Sequence, residues 1–299
     1  MLRSMYSAVS GLRGHQTMLD VIGNNISNVN TASFKSSRVI FSDMYYQTLG
    51  AAATPTAELG GSNPKQIGYG SQAARIDVIT SRSSYQMTSR PLDAYISGEG
   101  YFTVQQNLTA GSPREYTRLG AFTFETYSPT AGATTGLTGR LMDSKGNFVV
   151  GWSSDAGTPT VPPNLPAANP ATAQPIEIPN FEKYTNVTIA PDGTITGISK
   201  DFPTPVTLAR IAVAVFQNPD GLEQTGSSHY SQSNSSGTAD IRTPGADCGT
   251  LVSGGLETSN VDLSKEFSDM IVAQRGFQAN ARVITTSDQV LEELVNIKR

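Results

Sequence analysis

The sequence predicts an α+β protein in which helices at the two ends of the chain flank a central domain of mostly antiparallel β-strands. Three observations support this prediction. All seventeen prolines lie between Pro55 and Pro244, so both ends lack the residue that breaks helices. Apolar residues recur every three or four positions at both ends, as in a coiled coil. The middle contains short β-branched and aromatic runs separated by turn-forming residues.

The amino-terminal pattern predicts a helix to about Asn28, roughly 40 Å long at 1.5 Å per residue. Gly11, Gly14 and Gly23 each weaken it by about 1 kcal/mol relative to alanine, so we expect this helix to need a partner. Its apolar seam consists of Leu2, Met5, Val9, Leu12, Leu19 and Ile26.

The carboxyl-terminal pattern predicts a helix near 55 Å long. Ser259 and Asn260 are candidate caps, and Asp262 falls in the first turn, where a negative charge suits the helix dipole. The predicted seam alternates steps of four and three through Leu263, Phe267, Met270, Gln274, Phe277, Ala281, Ile284, Asp288, Leu291 and Val295.

Apolar residues outside these two seams suggest more than an intrachain helix pair. Two paired helices bury one seam between them, so further apolar positions need further neighbours. An intrachain coiled coil that ties the chain ends together is the simpler alternative, but self-assembly accounts for the additional residues. They are Met18, Val21 and Ile22 on the first helix and Ile271, Val283 and Val290 on the second.

The predicted domain boundaries fall where the helical periodicity of the two ends gives way to the strand-like runs of the middle. We expect residues 1–30 and 256–299 to form a discontinuous coiled-coil domain, residues 31–80 a connector or hairpin region, and residues 81–255 a β-rich domain. Within it, the proline-rich segment at about 158–179 is expected to be an exposed extended loop. Turns are expected at Asp143–Asn147 and Pro191–Gly193.

Composition limits the classes of partner and chemistry. The net charge is −4 and no Lys/Arg cluster occurs, which argues against a nucleic-acid partner, and no stretch is apolar enough to insert in a membrane. The single cysteine, Cys248, excludes an intrachain disulfide and is expected to be inert and partly buried. We therefore expect protein partners, with no metal and no cofactor.

No group of residues indicates catalysis, and we expect no enzyme activity. His15 is expected on a helix exterior and His229 in a Ser/Gly-rich loop, both exposed. The competing hypothesis is a secreted β-rich binding module or hydrolase carried on a coiled coil. A deep pocket with converging carboxylates would favour it.

Both termini resemble the signatures of the flagellar rod and hook axial proteins. The amino-terminal match is an Asn-rich stretch that turns to Phe and Lys, with Ser33 where the family usually has glycine. The carboxyl-terminal match starts before the predicted helix and continues into it. The motif residues are Asn24, Asn25, Asn28, Val29, Asn30, Thr31, Phe34 and Lys35 at one end and Ser259, Asn260, Val261, Gln274 and Arg275 at the other.

The resemblance implies a tubular polymer of many copies of the chain, with subunit packing through both helices. It further implies contacts with other axial proteins (rod, hook–filament junction and hook cap). It also implies export through the flagellar export apparatus, without a cleaved signal peptide, to an extracellular place in the flagellum. Packing positions are expected at Leu2, Met5, Val9, Leu12, Leu19, Ile22 and Ile26, and at Leu263, Phe267, Met270, Ile271, Phe277, Ile284, Leu291 and Val295.

Within this family the sequence favours a hook subunit, a bending universal joint that transmits motor torque to the filament. The ending Leu291–Arg299 and the run Val272–Thr286 resemble short hook proteins of Gram-positive type. The distal rod, a stiff drive shaft, shares nearly all of these features and is the alternative. At 299 residues there is little room for the large outer domain of longer hook proteins.

Overall fold

The structure is a computed structural model that describes residues 2–55, 60–109, 112–128, 136–153, 173–200, 205–245 and 248–297. The chain divides into two units. One is a helical unit formed by Met1–Val29, Lys35–Ile79 and Val261–Arg299, and the other is a β unit formed by Asn30–Phe34 and Thr80–Asn260. Terminal helices and a central antiparallel β domain are both present, so the predicted α+β class is confirmed.

The helical unit contains two helices and two short strand pairs. Strands β1 and β4 pair antiparallel and lie against α1, and β2 pairs antiparallel with β3, so the region between α1 and the β unit is a long hairpin. The elements are α1 (Leu2–Ser27), β1 (Ser37–Asp43), β2 (Tyr46–Gly50), β3 (Lys65–Gly68), β4 (Ser71–Val78) and α2 (Leu263–Ile297).

The β unit contains eighteen strands within the described residues. They are β5 (Tyr85–Met87), β6 (Ala94–Ser97), β7 (Tyr101–Gln105), β8 (Arg114–Thr117), β9 (Thr123–Tyr127), β10 (Thr138–Met142), β11 (Phe148–Ser153), β12 (Gln174–Pro175), β13 (Glu177–Ile178), β14 (Tyr184–Ile189), β15 (Thr194–Ser199), β16 (Pro205–Ile211), β17 (Val213–Val215), β18 (Glu223–Gly226), β19 (His229–Ser231), β20 (Asp240–Arg242), β21 (Thr250–Ser253) and β22 (Gly255–Glu257).

One large sheet dominates this unit. Its main path runs β14-β15-β16-β11-β7-β8-β19-β18, and its described strand pairs are antiparallel. Alternate side chains of β7 and β11 point to opposite faces of the sheet and belong to two separate hydrophobic cores. One core includes Phe102, Val104 and Val149, and the other includes Tyr101, Val150 and Trp152. The β unit therefore buries apolar side chains on both faces of its central strands.

The described part of the proline-rich segment is paired with the sheet. Residues 158–172 lie outside the described residues, but β12 and β13 pair with β11 and β10. Ile176 and Ile178 are fully buried in the first core. The expectation of an exposed loop is therefore wrong for residues 173–179, because apolar residues between the prolines bind this segment to the sheet.

Candidate assembly surface on the terminal helices

Helices α1 and α2 pack antiparallel with a constant register. Gly11 of α1 faces Asn280 of α2, His15 faces Gly276, and the side chain of Asn25 donates a hydrogen bond to Glu266 at 3.2 Å. Each advance along α1 is matched by an equal step back along α2. The pairing is therefore continuous over most of α1.

The buried stripe of α2 differs from the predicted seam. It contains small and polar side chains, with Ala273 fully buried. Of the apolar positions of the predicted seam, Met270, Ala281, Ile284 and Leu291 are partly buried, whereas Leu263, Phe267, Phe277 and Val295 are exposed. The described α2 positions that are not exposed are Glu266, Asp269, Met270, Ala273, Gly276, Asn280, Ala281, Ile284, Ser287 and Leu291.

Close backbone approach explains this rotation of the seam. A Cβ atom added at Gly276 lies 2.4 Å from Nε2 of His15, and one added at Gly11 lies 2.6 Å from Nδ2 of Asn280. One added at Gly14 lies 2.9 Å from the Phe41 ring, whereas Gly23 has open space around it. The expected exposure of His15 is wrong, because its imidazole fills the gap above Gly276. Three of the helix glycines thus serve packing.

The apolar side chains of α1 are mostly turned into the helical unit. Ile22 is buried, and of the predicted positions only Val9 is exposed; the side chain of Leu2 lies outside the described residues. The remaining positions, Met5, Leu12, Leu19 and Ile26, are partly buried. The first helix is therefore partly covered by α2 and the β1–β4 pair, and of the two helices α2 has more exposed large apolar side chains.

Two exposed apolar stripes flank the buried stripe of α2. Leu263, Phe267 and Ile271 recur every four residues and form the first stripe, with Phe267 51% and Ile271 58% exposed. Residues Val283, Val290, Leu294 and Ile297 form the second, and Ile297 is 81% exposed. Contiguous apolar surface of this kind marks an interaction site in soluble proteins.

The Asn-rich motif joins α1 to the strand that follows it. The buried Asn25 side chain donates to the Ser37 carbonyl at 2.8 Å and accepts from the Ser37 amide at 3.0 Å. Asn28 donates from its side chain to the Asn24 carbonyl at 3.0 Å and to the Asn24 side chain at 2.8 Å. These bonds satisfy backbone groups at the end of α1 and fix the exit of the chain.

Ser33 has a left-handed backbone, with φ 59°, which glycine adopts at no steric cost. It is fully buried, and its hydroxyl has no hydrogen-bond partner among the described residues. Its amide donates to the Glu257 carbonyl at 2.8 Å, which holds this turn in the β unit. The geometry explains why the family signature has glycine at this position.

The carboxyl-terminal motif contains the cap of α2, but at a different residue from the one predicted. Oδ1 of Asp262 accepts from the amides of Ser264, at 2.9 Å, and Lys265, so Asp262 is the cap. The Ser259 carbonyl accepts from the Ser83 hydroxyl, and the Asn260 amide donates to the Phe34 carbonyl. Both of the expected caps are therefore bound within the β unit.

The other motif residues differ in how deeply their side chains are buried. Val29, Val261 and Phe34 are not fully exposed, and Lys35 is buried with 1% exposure. Gln274 and Arg275 are exposed on α2, and Arg275 donates to the side chain of Gln278 at 3.4 Å. The motif is thus distributed between the two units, with Asn30 and Thr31 in the segment assigned to the β unit.

Two ion pairs are buried among the described residues of the β unit. Arg118 lies 3.5 Å from Glu257, and Glu257 also accepts from the Ser83 amide at 3.0 Å. Nε2 of His229 donates to Asp143 at 2.5 Å and its Nδ1 donates to the Ser227 carbonyl at 2.7 Å. The expected exposure of His229 is wrong, because it is buried on β19.

The protonation of His229 follows from these partners. Burial lowers the pKa of the imidazole, but the hydrogen bond and negative charge of Asp143 raise the pKa by more, so it lies above its ordinary value. Both ring nitrogens face acceptors, which only the charged imidazolium satisfies together. The pair therefore stabilises the sheet and its adjoining Asp143–Asn147 turn.

The described residues contain no group of three or more His, Cys, Asp or Glu side chains placed to bind a metal ion. Cys248 is buried, and its thiol donates to the Thr243 carbonyl at 2.9 Å. Neither described helix combines the length and the apolar character that a membrane span requires.

Three family models match successive parts of the chain. Residues 5–35 match the model "Flagella basal body rod protein", and residues 95–197 match "Flagellar hook protein FlgE/F/G D1 domain". Residues 252–297 match "Flagellar basal body rod FlgEFG protein C-terminal". The matches cover both terminal helices and much of the β unit.

Similar proteins match the whole chain. The flagellar basal-body rod protein FlgG of Bacillus subtilis (strain 168) is 42% identical over 301 positions that cover 100% of both chains. FlgG of Buchnera aphidicola subsp. Acyrthosiphon pisum is 32% identical and covers 98% of this chain and 99% of its own length. The flagellar hook protein FlgE of Borreliella burgdorferi is 29% identical over a 447-position alignment that covers 100% of both chains.

Proposed function

This chain belongs to the family of flagellar rod and hook axial proteins, and we propose that it is a subunit of the distal rod of the basal body. The observation that carries the choice of rod over hook is length. The alignment with the rod protein of B. subtilis needs 301 positions for the 299 residues of this chain. The alignments with two hook proteins run over 447 and 467 positions, because those proteins contain long segments that this chain lacks.

A hook subunit is the second candidate. The hook protein of B. burgdorferi aligns with the entire chain at 29% identity, and the run Val272–Thr286 and the ending Leu291–Arg299 resemble short hook proteins of Gram-positive type. The two candidates differ in mechanics, since a hook bends and a rod stays straight. Both are structural parts of the flagellum.

The terminal helices are the proposed site of polymerisation, as a coiled-coil core. Their own pairing uses the small and polar stripe of α2, which leaves large apolar side chains exposed on both flanks. Fully burying one such side chain stabilises an assembly by about 1.5–3 kcal/mol. Neighbouring copies that cover these flanks would stabilise the marginal helix pair within the polymer. At the two ends of the polymer, other axial proteins would cover them.

The same surface suits export in an unfolded state. A chain that passes through the export apparatus without a cleaved signal must not fold its assembly surface too early. Helices that become fully stable only against neighbouring copies meet this need, because mass action supplies the stabilisation at the growing end. The subunit then takes its place outside the cytoplasm in the basal body.

The test is complementation in B. subtilis cells that lack either their rod protein FlgG or their hook protein FlgE. A rod subunit restores straight rods and motility in the first strain and has no effect in the second. Restoration of a bending hook in the second strain alone would establish the hook instead.

A deletion tests the role of the helices. A chain without residues 2–28 should be exported poorly or not assembled, while its β unit keeps its tertiary circular dichroism. If this truncated chain still formed rods, polymerisation through the terminal helices would be wrong.

A further inference from the structure

An apolar groove of about 830 Å³ lies within the helical unit, between the outer face of α1 and the hairpin. It runs along α1 from Tyr6 to Thr17, and its opposite wall includes Tyr45 and Tyr69. Tyr45 is 85% exposed although its ring borders the groove. The groove is distinct from the α1–α2 seam, since its α1 residues belong to the face that points away from α2.

We propose that this groove receives the last two turns of α2 from a second copy of the chain. The proposal rests on the proposed function, because it names one of the contacts that would build the polymer. The last turns of α2 carry three exposed aliphatic side chains, Leu294, Val295 and Ile297. Helix tips of this composition fit an apolar groove by the same physics as other amphipathic helices bound in grooves.

The register of the helix pair leaves this end of α2 without support from α1. Asn280 faces Gly11, and Leu294 lies fourteen residues further along α2, past the described start of α1. Among the described residues of the helical unit, no other helix therefore lies beside the last turns of α2. Val295 accordingly keeps 64% of its surface exposed.

The same register gives the offset between the two copies. Fourteen helical residues span about 21 Å, so a copy displaced by about 21 Å along the helix axis brings its Leu294 level with Gly11. Gly11 lies midway along the groove segment of α1, between Tyr6 and Thr17. The contact joins unlike surfaces, so it can repeat from copy to copy and build an open filament.

Charge supports the same occupant. Arg13 is the only charged side chain among the described residues that line the groove. Glu292 and Glu293 lie on the incoming turns of α2, and none of these three residues forms an ion pair among the described residues. Opposite charges on an apolar groove and an apolar helix end fix the orientation of docking.

Disulfide trapping tests the contact in rods from cells that lack their own distal rod protein and make this chain in its place. The variant carries Val9→Cys in the groove and Leu294→Cys on the helix end. Within one copy these positions are about 18 Å apart along the helices, beyond the reach of a disulfide. Oxidised rods should therefore give a ladder of covalent multimers, and each single variant should give none.

A matched control distinguishes docking by the end of α2 from docking by a different part of α2. The pair Val9→Cys with Phe267→Cys uses a side chain that is also apolar and about half exposed. We expect no ladder from this pair. A ladder from the control pair alone, or from neither pair, overturns the proposal.

A charge exchange gives a second readout. Arg13→Glu, and separately Glu292→Lys with Glu293→Lys, should each lower the yield of assembled rods several-fold, and combining them should restore it. Wild-type yield from both charge variants, or no recovery on combining them, contradicts the proposal. Rods that assemble without the Val9–Leu294 cross-link overturn only the groove contact, whereas failure of the unaltered chain to restore rods overturns the proposed function.

Discussion

The helical unit and the β unit differ in where their large apolar side chains lie. In the β unit, Phe102, Leu141 and Ile195 are fully buried in a core closed on itself. In the helical unit, α2 pairs through Ala273 and Gly276 and leaves Phe267 and Ile271 exposed. The β unit thus buries its large apolar side chains within one chain, and the exposed side chains of the helical unit are the ones that the proposed assembly would cover.

The largest expected effect comes from a matched pair of phenylalanines. Phe102→Ala removes a fully buried ring and should lower the free energy of unfolding by about 3–5 kcal/mol. Phe267→Ala removes an exposed ring and should change it by less than about 0.5 kcal/mol in the monomer. Denaturant unfolding of the monomer measures both. Phe267→Ala should nevertheless clearly lower the yield of assembled rods. Equal losses of monomer stability from the two substitutions would contradict the difference between the two units.

The helix seam offers a second matched pair. Gly276→Ala places a methyl group against the His15 imidazole and should destabilise the helical unit by about 1–3 kcal/mol. Gly23→Ala meets nothing within 4 Å and should stabilise α1 by about 1 kcal/mol. Thermal melting followed by helical circular dichroism distinguishes them. Stabilisation by both substitutions would show that α1 and α2 are not closely packed at Gly276.

Ser33→Gly should stabilise the chain by about 1 kcal/mol. Glycine removes the cost of the left-handed backbone at φ 59° and the buried hydroxyl that has no partner among the described residues. The greater freedom of glycine in the unfolded chain offsets part of this gain. Chemical unfolding of the two proteins checks the sign. A loss of stability would mean that the Ser33 hydroxyl has a favourable role in this turn.

The smallest expected effect is a pH dependence confined to the β unit. The pKa of His229 is raised in the folded chain, so its stabilisation is present in full below its unfolded pKa of about 6.5. That stabilisation is lost as the pH rises through the folded pKa. Unfolding of the wild type and of His229→Gln across this range measures it. An identical pH dependence in the two proteins would exclude a contribution from the imidazolium.

The sequence predicted the class of fold because periodicity and proline placement are local signals. It did not predict the seam of α2, since counting apolar residues favoured Phe267 over Ala273. The available signal was a set of small or polar residues at seven-residue spacing, Ala273, Asn280 and Ser287. Close packing of two backbones requires small side chains, which a hydrophobic pattern does not detect.

Long-range pairing accounts for the other differences. His229 and Asp143 lie 86 residues apart, and no local pattern connects them. Ile176 and Ile178 are buried because β10 and β11 lie beside them, despite the surrounding prolines. Asp262 caps α2 because Ser259 and Asn260 already bind residues of the β unit. Each outcome depends on a partner that only the folded chain brings near.

Hydrogen exchange of the monomer and of assembled rods tests most directly whether neighbouring copies complete the helical unit. We expect amides of α2, including those of the turns around Ile271 and Leu294, to exchange rapidly in the monomer and slowly in rods. Amides of β7 and β11 should be protected in both states. Equal protection of α2 in the monomer and in rods would contradict the account.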